Sequence, residues 1–279
     1  MKIFAPILLL LCCIFPFKAN AQQAFGEPLT VIQVPRLDLI SLDNQGFIFA
    51  VDLEGNLYQY QVDQTTWINN FSPPRQARIS SLEAFWTVNI FTFSVDLQEY
   101  RILDRFINPI AENRIPDHLI SLAKVATLGN NNIIWVLDES DLSLKQFDYR
   151  RNRIIQHQPL NLILGESFLY VTDMREYGNL LFLTIEDEGI FIFDNQGNFI
   201  RKYPLLLTQK LSFWKNNLVF ISNGELQLLD FQSGKNQSFP LPKEVQDMSV
   251  MIGPRTLVFY GKNQIRIYDL EKTLGLLEE

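Results

Sequence analysis

The chain repeats one unit about every 40 residues, an apolar run, a short polar turn, a second apolar run and a closing aspartate. The closing residues are Asp63, Asp104, Asp148, Asp194, Asp230 and Asp269, spaced 41, 44, 46, 36 and 39 residues apart. A unit of that length holds four short strands, and such a sheet buries its apolar surface only when neighbours stack on it. Six marks predict an all-β, six-bladed β-propeller of four-stranded antiparallel blades.

The second strand of each unit is close to continuously apolar: Phe47 to Val51, Ile90 to Val95, Ile133 to Leu137, Leu180 to Ile185, Leu218 to Ile221 and Thr256 to Tyr260. A sheet with one wet face would alternate, so these runs point to blades covered on both faces. Turns such as Gly55-Asn56, Asp187 to Gly189 and Asn223-Gly224 supply residues that accept positive φ or bond their own backbone. The closing aspartates are expected to cap the turns that follow them. Innermost strands align a serine in five blades (Ser41, Ser81, Ser121, Ser212, Ser249), which reads as close packing at the axis, with the fourth blade departing around Tyr170. Outer strands are expected to finish near Pro109, Pro159, Pro204 and Pro240. Leu29 to Pro35 has the same form, while only Thr273 to Leu277 follows the last mark. Leu29 to Val34 is therefore expected to be the outer strand of the sixth blade and to close the ring without a bare edge.

Met1-Lys2, the apolar run Ile3 to Phe17 and Ala19-Asn20-Ala21 form the pattern of a secretory signal peptide cut after Ala21, leaving residues 22–279 as a single propeller domain in the periplasm or outside the cell. Cys12 and Cys13, the chain's two cysteines, fall within that leader. A lipoprotein is not expected, since Leu11 and Cys12 stand where a small residue would precede an acylated cysteine. The whole chain carries −7; removing Lys2 and Lys18 with the leader takes it to −9. Such a chain has no general attraction for phosphate backbones, and nucleic acid is not an expected partner.

With two histidines, His118 and His157, no multi-histidine metal set can form. No histidine or acid keeps a fixed offset from the aligned serines, so no catalytic residue and no cofactor is expected. The positions three before those serines, and before Tyr170 in the fourth blade, are Asp38, Arg78, His118, Ser167, Gln209 and Gln246. Asp38, Arg78 and His118 are the candidate ligand cluster at the channel mouth. Phe85-Trp86 and Phe91 to Val95 read as interblade core, and Arg150, Arg151 and Arg153 as a solvated outer turn.

The segments Asp194-Asn195-Gln196-Gly197-Asn198 and Asp230 to Lys235, each following an apolar strand, resemble the blade repeats of secreted six-bladed propellers of the NHL-type and TolB-like group. The resemblance implies the fold and no activity. Gluconolactonase-like propellers hold calcium in the channel with several carboxylates and amides; one acid, Asp38, among the six mouth positions is too few for that.

Turns between second and third strands share one face of a propeller, and in blades one to four they carry Asp52, Glu54, Asp96, Asp138, Glu139, Asp141, Glu186, Asp187 and Glu188, with no Lys or Arg among them. Opposite turns carry Arg105, Arg150, Arg151, Arg153, Lys235 and Lys272. The functional expectation is a non-catalytic scaffold whose acidic face, at Asp138, Asp141, Glu186 and Glu188, takes the basic surface of an envelope protein. A small-molecule ligand is not expected. The alternatives are a hydrolase or lactonase using the channel mouth, and a carbohydrate- or peptide-binding module.

Overall fold

The computed structural model describes residues 25–84, 89–130, 132–261 and 263–276. The expected leader, residues 1–21, and the Phe85-Trp86 pair lie outside them. The described residues form six four-stranded antiparallel sheets. From the axis outward, blade 1 is Leu37–Leu42, Phe47–Asp52, Leu57–Gln61 and Asn69–Phe71; blade 2 is Ser81–Glu83, Ile90–Ser94, Glu99–Leu103 and Pro109–Arg114. Blade 3 is Ala123–Leu128, Ile133–Asp138, Ser143–Asp148 and Arg153–Pro159; blade 4 is Val171–Tyr177, Leu180–Ile185, Gly189–Asp194 and Phe199–Tyr203. Blade 5 is Phe213–Trp214, Asn217–Ser222, Glu225–Asp230 and Asn236–Pro240.

The sixth sheet joins both ends of the described chain. Ser249–Ile252, Thr256–Gly261 and Gln264–Asp269 are followed outward by Thr30–Gln33, paired antiparallel in the register Thr30↔Ile267 to Gln33↔Gln264. Backbone bonds from Leu29 N to Ile267 O (2.7 Å) and from Val34 N to Asn263 O (2.9 Å) extend the ladder at either end.

Six hydrophobic clusters of described residues sit at the six interfaces between blades. Because strand side chains alternate between faces, Phe49 and Val51 pack toward blade 2 with Ile90 and Leu103, while Ile48 and Ala50 pack toward blade 6 with Val258 and Ile267. The apolar runs of the second strands are thus two interleaved faces, each covered by a different neighbour. Full burial of one such side chain stabilises by about 1.5–3 kcal/mol, so the ring depends on every interface being closed.

Most closing aspartates do cap their turns. Asp104 and Asp194 accept the amides two and four residues on through Oδ1, while Oδ2 takes the side-chain amide of Asn108 or Asn198. Asp148 and Asp230 bond the amides two and three residues on, and Asp269 caps the short helix Leu270–Leu274. Asp63 departs: its strand ends at Gln61, and the longer connection to Asn69 turns on a Gln64 N to Gln61 O bond instead. The outer strand of blade 2 likewise begins at Pro109 rather than ending there, because the Asp104 turn occupies the residues before it. Among the described residues no helix is long and apolar enough to cross a membrane.

Ile32 and Val34 are buried in the cluster between blades 6 and 1. Ile32→Ala is expected to destabilise the protein by about 3 kcal/mol through the cavity it opens, with Thr30→Ala nearly neutral. Urea unfolding of both variants checks this, and coincident midpoints for Ile32→Ala and the parent would contradict it.

Candidate functional site

The channel is lined by the innermost strands, and register identifies its layers. Ser41, Glu83, Thr127, Arg175 and Met251 stand opposite Phe49, Phe91, Trp135, Phe182 and Val258, the equivalent positions of the second strands, and Ser212 O bonds Val219 N at the same level. This ring is polar and mostly buried. Thr127 Oγ1 donates to Glu83 Oε2 (3.0 Å), Arg175 Nη1 donates to Leu82 O (3.1 Å), and that nitrogen lies 3.6 Å from Glu83 Oε1. Arg175 therefore crosses the channel, separating a small cavity of about 70 Å³ from a wide mouth of about 510 Å³ on the side of the turns between second and third strands. Burial pushes the Glu83 carboxyl up to about 7, against the opposing pull of Arg175 and the Thr127 hydrogen bond.

The serines aligned in the sequence do not share one level. Ser41 and Ser212 belong to the Glu83 ring, Ser81 and Ser249 stand one layer above it, and Ser121 precedes its strand. The blade that departs from the pattern supplies the channel's main charges, through Asp173 and Arg175 of Val171–Tyr177. Their alternation in Thr-Asp-Met-Arg-Glu was the available signal, missed because the strand begins after Tyr170.

The candidate cluster at the mouth is only partly assembled. Arg78 grips Asp38 through two bonds of 2.7 Å, which raises the guanidinium pKa further. His118 is 68% exposed, beside Asp117, and does not line the mouth. Lys210 takes the place expected of it, 3.4 Å from Asp173 and donating to Thr172 O (3.0 Å). Ser167, Gln209 and Gln246 are engaged in the loops.

The acidic face needs a larger correction. Asp138 is fully buried: its carboxylate accepts from the Ser121, Leu122 and Ser140 amides and from Lys145 Nζ at 2.7 Å. Burial alone would raise its pKa, but the bonds from Lys145 and Ser140 and the amides outweigh it and hold the carboxyl well below the usual carboxylate range. Asp141 is held by the same Lys145 (2.9 Å) and by Ser143. Glu188 accepts from Ser167 Oγ (2.8 Å) and Phe168 N (2.9 Å), with Lys202 3.7 Å away. Of the four residues, Glu186 alone is exposed and free of an ion pair among the described residues; Asp187 joins it. Cations from elsewhere in the fold neutralise much of the rest: Arg36 meets Glu54, and Lys124 meets Glu139. Sequence spacing hid this because the pairs come from different strands.

What Glu188 holds is the connection between blades 3 and 4. Leu169 is buried at φ 56°, and its amide donates to Ser167 Oγ (3.0 Å), which turns its neighbours outward. Phe168 is 81% and Tyr170 65% exposed. Tyr170 O accepts from Glu186 N (2.9 Å), so the aromatic pair is fixed to the free acidic turn. Leu162 and Leu206, also exposed, lie in the connections before and after blade 4. Among the described residues no group of three or more His, Cys, Asp or Glu side chains is arranged to hold a metal ion.

No protein-family model and no curated protein matches the chain. Solved structures do match in fold. The β-propeller domain of Cps50 (Swd1) from Myceliophteria thermophila aligns over 87% of this chain and 99% of that one, with 13% identity and a TM-score of 0.61. The WD40 domain of Neurospora crassa Pan2 aligns over 86% and 94%, with 10% identity and a TM-score of 0.56. At such identities these likenesses show the β-propeller fold alone, and the WD40 domain among them lies outside the NHL-type and TolB-like group that the turns resemble. The Asp-to-Asn turn is a local solution to a tight antiparallel reversal, so it marks a blade without marking a family.

Asp138→Asn is expected to cost about 2 kcal/mol, since it removes the buried carboxylate that accepts three amides and leaves Lys145 to Asp141 alone. Because the folded pKa of Asp138 is depressed, its contribution is present above the unfolded value and fades as pH falls below it; the variant should lose that acid sensitivity, and unfolding at several acidic pH values checks both. For Glu83 the sign is opposite. Its raised pKa makes the folded state hold a proton that the unfolded chain releases, so stability declines as pH rises from about 4.5 toward about 7. Melting of Glu83→Gln should therefore gain on the parent between about pH 5 and pH 8; a constant gap between the two curves would refute this.

Proposed function

We propose that the protein is a non-catalytic interaction scaffold which docks another protein on the blade 4 side of the face bearing the turns between second and third strands. The observation that carries this reading is the pair of exposed aromatics, Phe168 and Tyr170, fixed by the buried Leu169 and by Glu188. A side chain that stays exposed and apolar while its backbone is pinned has lost little entropy by the time it binds, which suits it to anchor an interface. Glu186 and Asp187 add charge of one sign that no cation among the described residues pairs with, and favour a partner with a basic surface. The carboxylates that do converge on the channel, Asp38, Asp173 and Glu83, each face a cation of the chain itself, which supports a structural duty for them in place of the lactonase reading. The leader pattern in residues 1–21 supports an extracytoplasmic site of action, and hence an envelope protein as the partner.

A photoreactive phenylalanine analogue at position 168 or 170, irradiated in cells of the native host, is expected to yield one discrete protein adduct. The same group at Phe106, exposed on the opposite face, should yield none. Adducts from position 106 alone, or equally from both faces, would overturn the assignment.

A further inference from the structure

The wide channel mouth opens on the proposed docking face with a charge imbalance that the chain leaves unsettled. Four carboxylates, Asp38, Asp173, Glu186 and Asp187, line it together with two cations, Arg78 and Lys210. Both cations are engaged, Arg78 by Asp38 and Lys210 by Asp173 and Thr172 O. Glu186 and Asp187 therefore leave an uncompensated negative wall in a concave site, where field lines concentrate. The same wall holds Thr184, whose buried hydroxyl has no hydrogen-bond partner among the described residues. A buried polar atom left without a partner is costly and calls for an explanation such as a bound water or ion. The cavity, about 510 Å³, is within the range of sites that enclose an extended organic group.

We infer that this mouth receives a lysine or arginine side chain of a protein partner. The inference rests on the docking reading above and names the group recognised there. A cation is selected by the two free carboxylates. A protein, rather than a free amine, is selected by the rim: Leu206 lies in the cavity wall beside Glu186 and Asp187, and Tyr170 is bonded to Glu186 from the other side. These apolar groups add contacts only when the cation brings neighbouring residues with it.

The test titrates N-acetyl-arginine methylamide into the full chain and follows binding by NMR. Saturable binding is expected, weakened about tenfold or more by the double change Glu186→Gln and Asp187→Asn and by raised salt. The neutral isostere N-acetyl-citrulline methylamide should not bind. Neither acid has an ion pair among the described residues, and asparagine tolerates the positive φ of position 187 (58°), so the melting curve of that variant should match the parent and any loss is a loss of recognition. Phe168→Ala with Tyr170→Ala should leave the probe's affinity unchanged. Failure of the docking reading would appear as adducts from position 106 in place of 168 or 170, separately from failure of the mouth. Absence of saturable binding, equal binding of the citrulline analogue, or indifference to the acid substitutions would overturn the inference. Spermidine binding with Leu206→Ala without effect on an arginine-leucine dipeptide amide would also overturn it, in favour of a free polyamine.

Discussion

Everything in this structure depends on the antiparallel pairing of Thr30–Gln33 with Gln264–Asp269. A blade is apolar on both faces, so an open arc of six would expose two of those faces and a bare strand edge. By lending its first described strand to its last sheet, the chain converts the arc into a ring, and Ile32 and Val34 complete the cluster between blades 6 and 1. The contact links residues more than 230 positions apart, so closure carries a loop-entropy cost that grows only slowly with length and is offset by the burial it completes.

Within the ring, side chains near the axis tie the innermost parts of blades 1 to 6 in succession. Ser41 Oγ accepts the Ala84 amide, Thr127 bridges Glu83 and the Glu176 amide, Asp173 accepts the Leu211 amide at 2.7 Å, and Gln209 Oε1 accepts the Val250 amide. These bonds account for the polar composition of the channel without appeal to a substrate. They also explain why Asp173 and Glu83 are held in place: each serves two blades at once. The same economy governs the acidic face, where Asp138 and Glu188 organise backbone and leave only a few acids, Glu186 and Asp187 among them, to face solvent.

The sequence announced the blades because their requirements are local. Apolar runs follow from two-sided burial, and the aspartates from turn geometry, so blade number, strand order and the role of Leu29 to Val34 could be read from spacing alone. Where a neighbouring connection intervened, the reading slipped. Asp63 lies within a longer loop, and the Tyr170 region was taken for a strand when it is a pinned turn before one. The candidate site was harder to see. Asp38 and Arg78 were found because they recur at one offset, whereas Lys145 reaches Asp138, and Arg175 reaches Glu83, across strands or blades whose registers no single repeat displays. The sequence therefore named acids by position and could not say which were already occupied. Exposure of Phe168 and Tyr170 was equally hidden, since it depends on Leu169 turning inward at a positive φ.

The central claim is that one closed ring holds the blade 4 turns rigid for docking, and amide hydrogen exchange of the isolated protein tests it most directly. Leu29 and Val34, bonded to Ile267 and Asn263 across the closure, should exchange as slowly as amides in the middle strands of blade 3, and Phe168 and Leu169, bonded to Glu188 and Ser167, should be protected well beyond other exposed turns. Rapid exchange at Leu29 and Val34 while the middle strands of blade 3 stay protected would show an open ring with a frayed first strand, and would contradict the account at its foundation.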